Sequence, residues 1–104
     1  MVRLAAMTLF LAGALQAVEA NEAPNSAVLK HLVHQDCGSC HGLTLKGGLG
    51  PDLRPQSLEH YDLEGLTSVI LEGIPGTAMP PWNPLISVES ANWIAQYLLQ
   101  PEAK

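Results

Sequence analysis

Cysteine, aromatic side chains and positive charge are all scarce in this 104-residue chain. There are two cysteines, Cys37 and Cys40, and both lie in one five-residue stretch. Two separated cysteine pairs, the usual frame of a structural zinc site, are therefore missing. A disulfide across so short a loop would constrain little of the unfolded chain. A thioredoxin-type dithiol wants βαβ surroundings, and no alternating strand pattern of useful length occurs in the sequence. Five Lys and Arg face ten Asp and Glu, a net charge of −5. That balance argues against nucleic acid and against anionic membrane surfaces as partners. It either matches a partner with a basic docking patch or serves solubility alone.

No apolar run reaches the about 20 residues of a bilayer span. The longest one, Leu4 to Ala17, follows Arg3 and has Leu9, Phe10 and Leu11 at its centre. Val18-Glu19-Ala20 then offers small residues for cleavage. Together these predict a secretory signal peptide over residues 1–20, removed after Ala20, the alternative being an uncleaved anchor. No twin-arginine pair occurs, which fits export of an unfolded chain. Residues 21–104 are then one small domain, in which a hydrophobic core alone is marginal. The only Phe leaves with the leader, and the aromatics that remain are Tyr61, Trp82, Trp93 and Tyr97. The composition asks for a cofactor that adds apolar bulk.

What the chain does have is Cys37-Gly38-Ser39-Cys40-His41. This is C-x-x-C-H, the attachment pattern of a c-type haem. Cysteines three positions apart share one side of a helical turn, so both thiols can reach the vinyl groups along one porphyrin edge and form thioethers. His41 is then placed under the iron as an axial ligand. Haem c is assembled outside the cytoplasm, so motif and leader agree. The competing readings are a dithiol, or zinc completed by His31, His34 or His60. No second C-x-x-C or H-x-x-x-H pattern supports the latter.

Along the chain the pattern is helical. Asn25 or Ser26 can cap a helix running toward Cys40, with Val28, Leu29, Leu32 and Val33 at helical spacing. Gly42 to Tyr61 is a Gly- and Pro-rich loop with one short helical turn expected at Ser57 to His60. A loop this long is unusual in a compact domain unless functional, and wrapping a haem edge would explain it. Asp62 can cap a second helix through Leu71, stopped by Gly73 and Pro75. After a Pro-rich loop, Ile74 to Ile86, Ser87 can cap a third helix, Val88 to Gln100, ended by Pro101. Its apolar face is Ala91, Ile94, Ala95, Leu98 and Leu99, with Trp93 and Tyr97 one turn apart. The expected fold is all-α: three main helices and long loops around one covalent haem.

With Met1 and Met7 in the leader, Met79 is the one methionine beyond it. It sits in Gly76-Thr77-Ala78-Met79-Pro80-Pro81-Trp82, where prolines stiffen the loop. A neutral, soft thioether favours ferrous iron and raises the potential, which makes Met79 the expected second axial ligand. The alternatives are a gap-filling core methionine and ligation by His60. His31 and His34, on the helix leading into the motif, would have to reach over the haem, and read as surface or propionate neighbours.

These residues together resemble a class I, mono-haem cytochrome c over nearly all of residues 25–100. The likeness rests on Cys37 to Gly42, Gly48-Leu49-Gly50-Pro51-Asp52-Leu53, Ile74 to Pro80, and Trp93 to Leu98. It implies that the Pro51 carbonyl accepts a hydrogen bond from His41, fixing its tautomer and raising its basicity, and that Leu53 packs on the haem. It also implies a close crossing of the first and last helices. There the family often carries a Gly eight residues before the first Cys and an aromatic four before it; here Leu29 and Val33 stand in those places. The run from Asp36 to Pro51, with Pro80-Pro81-Trp82, further resembles the small cytochrome c-55X type associated with cytochrome cd1 nitrite reductase.

The resemblance implies a periplasmic, monomeric one-electron carrier with one haem c, passing electrons to a nitrite reductase in denitrification. With both axial positions filled no place is left for substrate, so an electron-transfer protein and not an enzyme is expected. Electrons would cross the thioether edge near Cys37, Cys40 and the Leu49-Gly50-Pro51 loop, in transient, salt-sensitive docking. An alternative is an electron-donating assembly factor, with a haem d1 maturation protein as partner. A haem-based ligand sensor needs an open sixth position, against which Met79 argues.

Overall fold

The computed structural model describes residues 24–101. The leader expected over residues 1–20 lies outside them. Among the described residues every regular element is helical, as the sequence predicts.

The first rod begins at α1 (Ser26–Leu32), where the Asn25 side chain accepts from the N–H groups of Ala27 and Val28. That satisfies two donors which the first turn leaves without an intrahelical partner. The rod continues through a π-helical segment (Val33–Cys37) into α2 (Gly38–His41), and Gly42 ends it at φ 88°. The Gly38 N–H bonds back to the Val33 carbonyl. This wider turn is rare outside functional sites, and it delivers Cys37 to the start of α2. Asp62 caps α3 (Leu63–Glu72) by accepting from the Gly65 N–H at 2.6 Å. Ser87 caps α4 (Val88–Leu99) by accepting from the Ser90 N–H at 3.0 Å. The short turn expected at residues 57–60 forms earlier, as a 3₁₀ turn at Pro55–Ser57, because proline presets the first helical φ and needs no N–H partner there.

α4 packs along α3 and also touches α1. Leu29 and Val33 come from the first rod, Leu66 and Ile70 from α3, and Ala91, Ile94, Ala95 and Leu98 from α4. Val28, grouped by spacing with this face, is instead exposed. Leu29 and Val33, four apart, define the stripe, and Val28 falls off its edge. The departure at the helix crossing has a compensation. The first rod brings Leu29 and Val33, while α4 presents Ala91 and Ala95, both fully buried. The small residues thus stand on the other helix.

Leu45 is a core residue that the loop composition hid. Its backbone takes φ 60°, a region costing a side-chain-bearing residue about 1–2 kcal/mol. Its N–H bonds the Gly42 carbonyl at 2.8 Å and its own carbonyl accepts from Leu53 at 2.9 Å. Burying the leucine, worth about 1.5–3 kcal/mol, offsets the strain and folds the loop inward. No helix of the described residues is long and apolar enough to cross a membrane.

Candidate functional site

The π segment and α2 place Cys37, Cys40 and His41 within two helical turns. Cys37 is half-buried, Cys40 exposed, and neither is in a disulfide. Burial, and to a lesser degree the Asp36 carboxylate, pushes the Cys37 thiol up to about 11. At neutral pH it is therefore a protonated thiol.

His41 Nδ1 lies 2.7 Å from the Pro51 carbonyl oxygen. A carbonyl only accepts, so Nδ1 carries the proton and Nε2 carries a lone pair. The loop between them is fastened to the helix that bears the motif. Gly47 N–H donates to the His41 carbonyl at 2.8 Å, and Gly50 N–H donates to the Cys40 carbonyl at 2.7 Å. Gly50 lies flat on the imidazole: a Cβ there would stand 2.7 Å from Cε1 and 2.8 Å from Nδ1.

Just beyond Pro51, the Asp52 carboxylate sits in the fork of Arg54 at 2.6–3.1 Å and also accepts from the Arg54 N–H at 2.7 Å. These bonds to Arg54 hold its carboxyl below the usual carboxylate range. A carboxyl lowered on folding stabilises the fold above its unfolded pKa and loses that contribution as pH falls through the lowered value. At neutral pH the clamp is therefore intact. Leu53 follows, half-buried against the core.

Met79 is held from the end of α3. Its carbonyl accepts from the Ile74 N–H at 3.3 Å, and its own N–H donates to Thr77 Oγ1 at 3.3 Å. Trp82 and Asn83 donate back to the carbonyls of Ile70 and Leu71 at 3.1 and 3.0 Å. Gly73 makes this return possible. At φ 67° it leaves α3, and a Cβ on it would lie 2.6 Å from the Met79 carbonyl oxygen and 2.7 Å from the Pro80 carbonyl carbon.

The remaining histidines have other surroundings. His31 is exposed, and His60 lies ring to ring with Tyr61, centroids 4.2 Å apart. His34 Nε2 meets the Tyr97 hydroxyl at 2.9 Å. No group of three or more His, Cys, Asp or Glu among the described residues is placed to hold a metal ion. The sequence places Gly50 in the loop at the expected electron exit but does not reveal its close approach to the His41 ring, nor the second role of Gly73; the position of Gly50 just before Pro51 was the signal for the first.

Residues 24–98 match the family described as "Cytochrome C oxidase, cbb3-type, subunit III". Over all 104 residues the chain is 49% identical to cytochrome c55X of Paracoccus denitrificans (strain Pd 1222), spanning the whole of that protein. The chain belongs to the cytochrome c55X group of c-type cytochromes. Its fold matches a solved c-type cytochrome NirC with a TM-score of 0.70 at 48% identity, covering 73% of this cytochrome and 93% of that chain. It also matches part of the dihydro-haem d1 dehydrogenase NirN, solved in complex with DHE, with a TM-score of 0.67 at 33% identity. There the cytochrome covers 72% of its own length and 16% of the dehydrogenase. The expected family and the small cytochrome c fold are both borne out.

Membership of this family implies haem c, and the donor set fits it. Two unbridged thiols stand in C-x-x-C register, with one imidazole whose tautomer leaves Nε2 as a donor. A neutral thioether sits on a loop fixed at both of its backbone groups.

Proposed function

We propose that this cytochrome is an exported, periplasmic one-electron carrier holding one covalent haem c. Cys37 and Cys40 form the thioethers, and His41 and Met79 are the axial iron ligands. When bound, the haem supplies a reversible ferric–ferrous couple. The observation that carries the reading is the 2.7 Å contact of His41 Nδ1 with the Pro51 carbonyl. It orients the ring, leaves Nε2 to donate, and raises the basicity of that nitrogen. Leu53, beside this bond, packs on the haem face. Met79, neutral and tethered through Ile74 and Thr77, favours the reduced state and keeps geometry similar in both states. Small reorganisation favours fast electron transfer. The acidic surface favours brief docking on a basic patch of a partner, of which a cytochrome cd1 nitrite reductase is the first candidate.

The oxidised absorption spectrum tests the site. The haem-loaded protein is expected to carry the weak far-red band of methionine–iron ligation, and Met79→Ala to lose it while keeping the covalent haem. A low-spin spectrum without that band in the wild type would move the sixth ligand elsewhere.

A second reading is favoured by the likeness to dihydro-haem d1 dehydrogenase: electron exchange during haem d1 assembly. A deletion strain separates the two. Reductase lacking haem d1 points to assembly; complete reductase with slowed electron supply points to respiratory donation.

A further inference from the structure

Asp52 and Arg54 carry charges for which the site described so far has no use. The cations among the described residues are Lys30, Lys46 and Arg54. Lys30 stands over the Tyr97 ring, its Nζ 5.9 Å from the centroid, and Lys46 is exposed. Of these, Arg54 alone is in an ion pair among the described residues, and its partner is Asp52. An acidic chain thus places one of its few positive charges three residues beyond Pro51, whose carbonyl holds His41.

The pair is built in two layers. The first is local: the Arg54 N–H donates to Asp52 Oδ1 at 2.7 Å, an Asx turn, while the Leu53 N–H between them donates to the Leu45 carbonyl at 2.9 Å. This layer needs an oxygen at Oδ1 and no charge. The second is the fork: Arg54 Nε donates to Oδ1 and Oδ2 at 3.1 and 2.8 Å, and Nη2 donates to Oδ2 at 2.6 Å. This layer adds the cancellation of one charge by another. The Asp52 side chain is 22% exposed and that of Arg54 44%, so the carboxylate is the more sheltered charge. The link to His41 is covalent and short. The carbonyl that accepts from Nδ1 at 2.7 Å belongs to the peptide bond joining Pro51 to Asp52.

We propose that Asp52 and Arg54 are a potential-setting pair, in which the carboxylate beside the His41 loop favours ferric iron, the guanidinium favours ferrous iron, and the fork keeps the two in balance. The pair deepens the carrier reading above and rests on it. An iron centre gains one positive charge on oxidation, so a fixed negative charge nearby stabilises the oxidised state and a fixed positive charge the reduced one. A staple for the loop alone would be complete with the first layer, which an asparagine supplies as well as an aspartate. Neither side chain is assigned a contact with the haem; both act through the field at His41 and its loop.

Two variants split the pair while keeping the turn. Asp52→Asn retains an oxygen for the Arg54 N–H and frees the guanidinium. Arg54→Gln retains that N–H and leaves the carboxylate uncancelled. Spectroelectrochemical titration of the haem-loaded proteins at low salt should find the midpoint potential raised in Asp52→Asn and lowered in Arg54→Gln. Each shift should change the ferric-to-ferrous ratio at a fixed applied potential by about two- to threefold. The larger shift is expected in Arg54→Gln, because the charge left behind is the more sheltered one. The double variant should return toward wild type, and the single shifts should shrink near 1 M salt, where the screening length is about 3 Å. The far-red band and the His41 Nδ1–H resonance of the ferrous protein should stay as in wild type, since the turn is intact. Shifts of one sign in both single variants, a double variant further from wild type than either, or single variants at the wild-type potential would each overturn the pair. A chain that takes up no haem overturns the carrier reading with it, whereas a haem-loaded chain with the far-red band and same-sign shifts overturns the pair alone.

Discussion

Gly50→Ala is expected to destabilise the haem-loaded protein by about 2–4 kcal/mol, the sum of overpacking and one weakened hydrogen bond. The added methyl would stand 2.7 Å from His41 Cε1. The ring has little freedom to yield, because Nδ1 is tied to Pro51 and Nε2, on the proposed ligation, to iron. Either the ring tilts or the Gly50–Pro51 backbone lifts, and both lengthen the Nδ1–carbonyl bond. A weaker bond makes His41 a poorer donor, and a poorer donor stabilises ferric iron less. The midpoint potential should therefore rise. Spectroelectrochemical titration and urea unfolding measure both quantities. A variant matching wild type in both would mean that the loop relaxes without disturbing the imidazole.

The second large effect concerns Met79, the other proposed ligand, and has the opposite sign. Gly73 has φ 67° and ψ −170°, a combination almost confined to glycine and costing other residues about 1–3 kcal/mol. Alanine there also drives a methyl to within 2.6–2.8 Å of the Met79 and Pro80 carbonyl groups and the Pro81 nitrogen. With the clash added, the expected loss is about 2–4 kcal/mol. The Met79 segment must move off the end of α3 and take its thioether with it. Gly73→Ala should then keep its covalent haem, lose the far-red band and show a lowered potential, since a soft neutral ligand has left the iron. A full-strength band in this variant would show that Met79 is placed by something other than its seat on Gly73.

How far the site could be read in advance depended on the kind of constraint. Cys37, Cys40 and His41 are legible because the proposed covalent attachment demands those residue types at that spacing. Asn25, Asp62 and Ser87 are legible because the first turn of a helix needs side-chain acceptors, and each performs that role. The Pro51 contact came from resemblance, and the structure closes it at 2.7 Å. Other features are set by tertiary neighbours that no local pattern encodes. The π turn keeps the apolar and polar order of an ordinary helix. Leu45 sits in a loop whose composition reads as exposed, yet it is among the most buried side chains. Gly50 and Gly73 are required by atoms of His41 and Met79, which only the folded chain brings near. The His34–Tyr97 bond joins residues 63 apart in sequence, at a helix crossing where Leu29 and Val33 stand in place of the family's frequent Gly and aromatic.

The buried alanines of α4 have a consequence for the spacing of the His41 and Met79 segments. The His41 segment hangs from the first rod and the Met79 segment from the end of α3, and α4 touches α1 and packs along α3. Ala91 and Ala95 thus stand as shims in the frame that carries the two proposed axial ligands. A thicker side chain at either position would spread this frame and shift the His41 and Met79 segments relative to each other. On the proposed ligation, the thickness of α4 at these two positions would then help to set the redox potential.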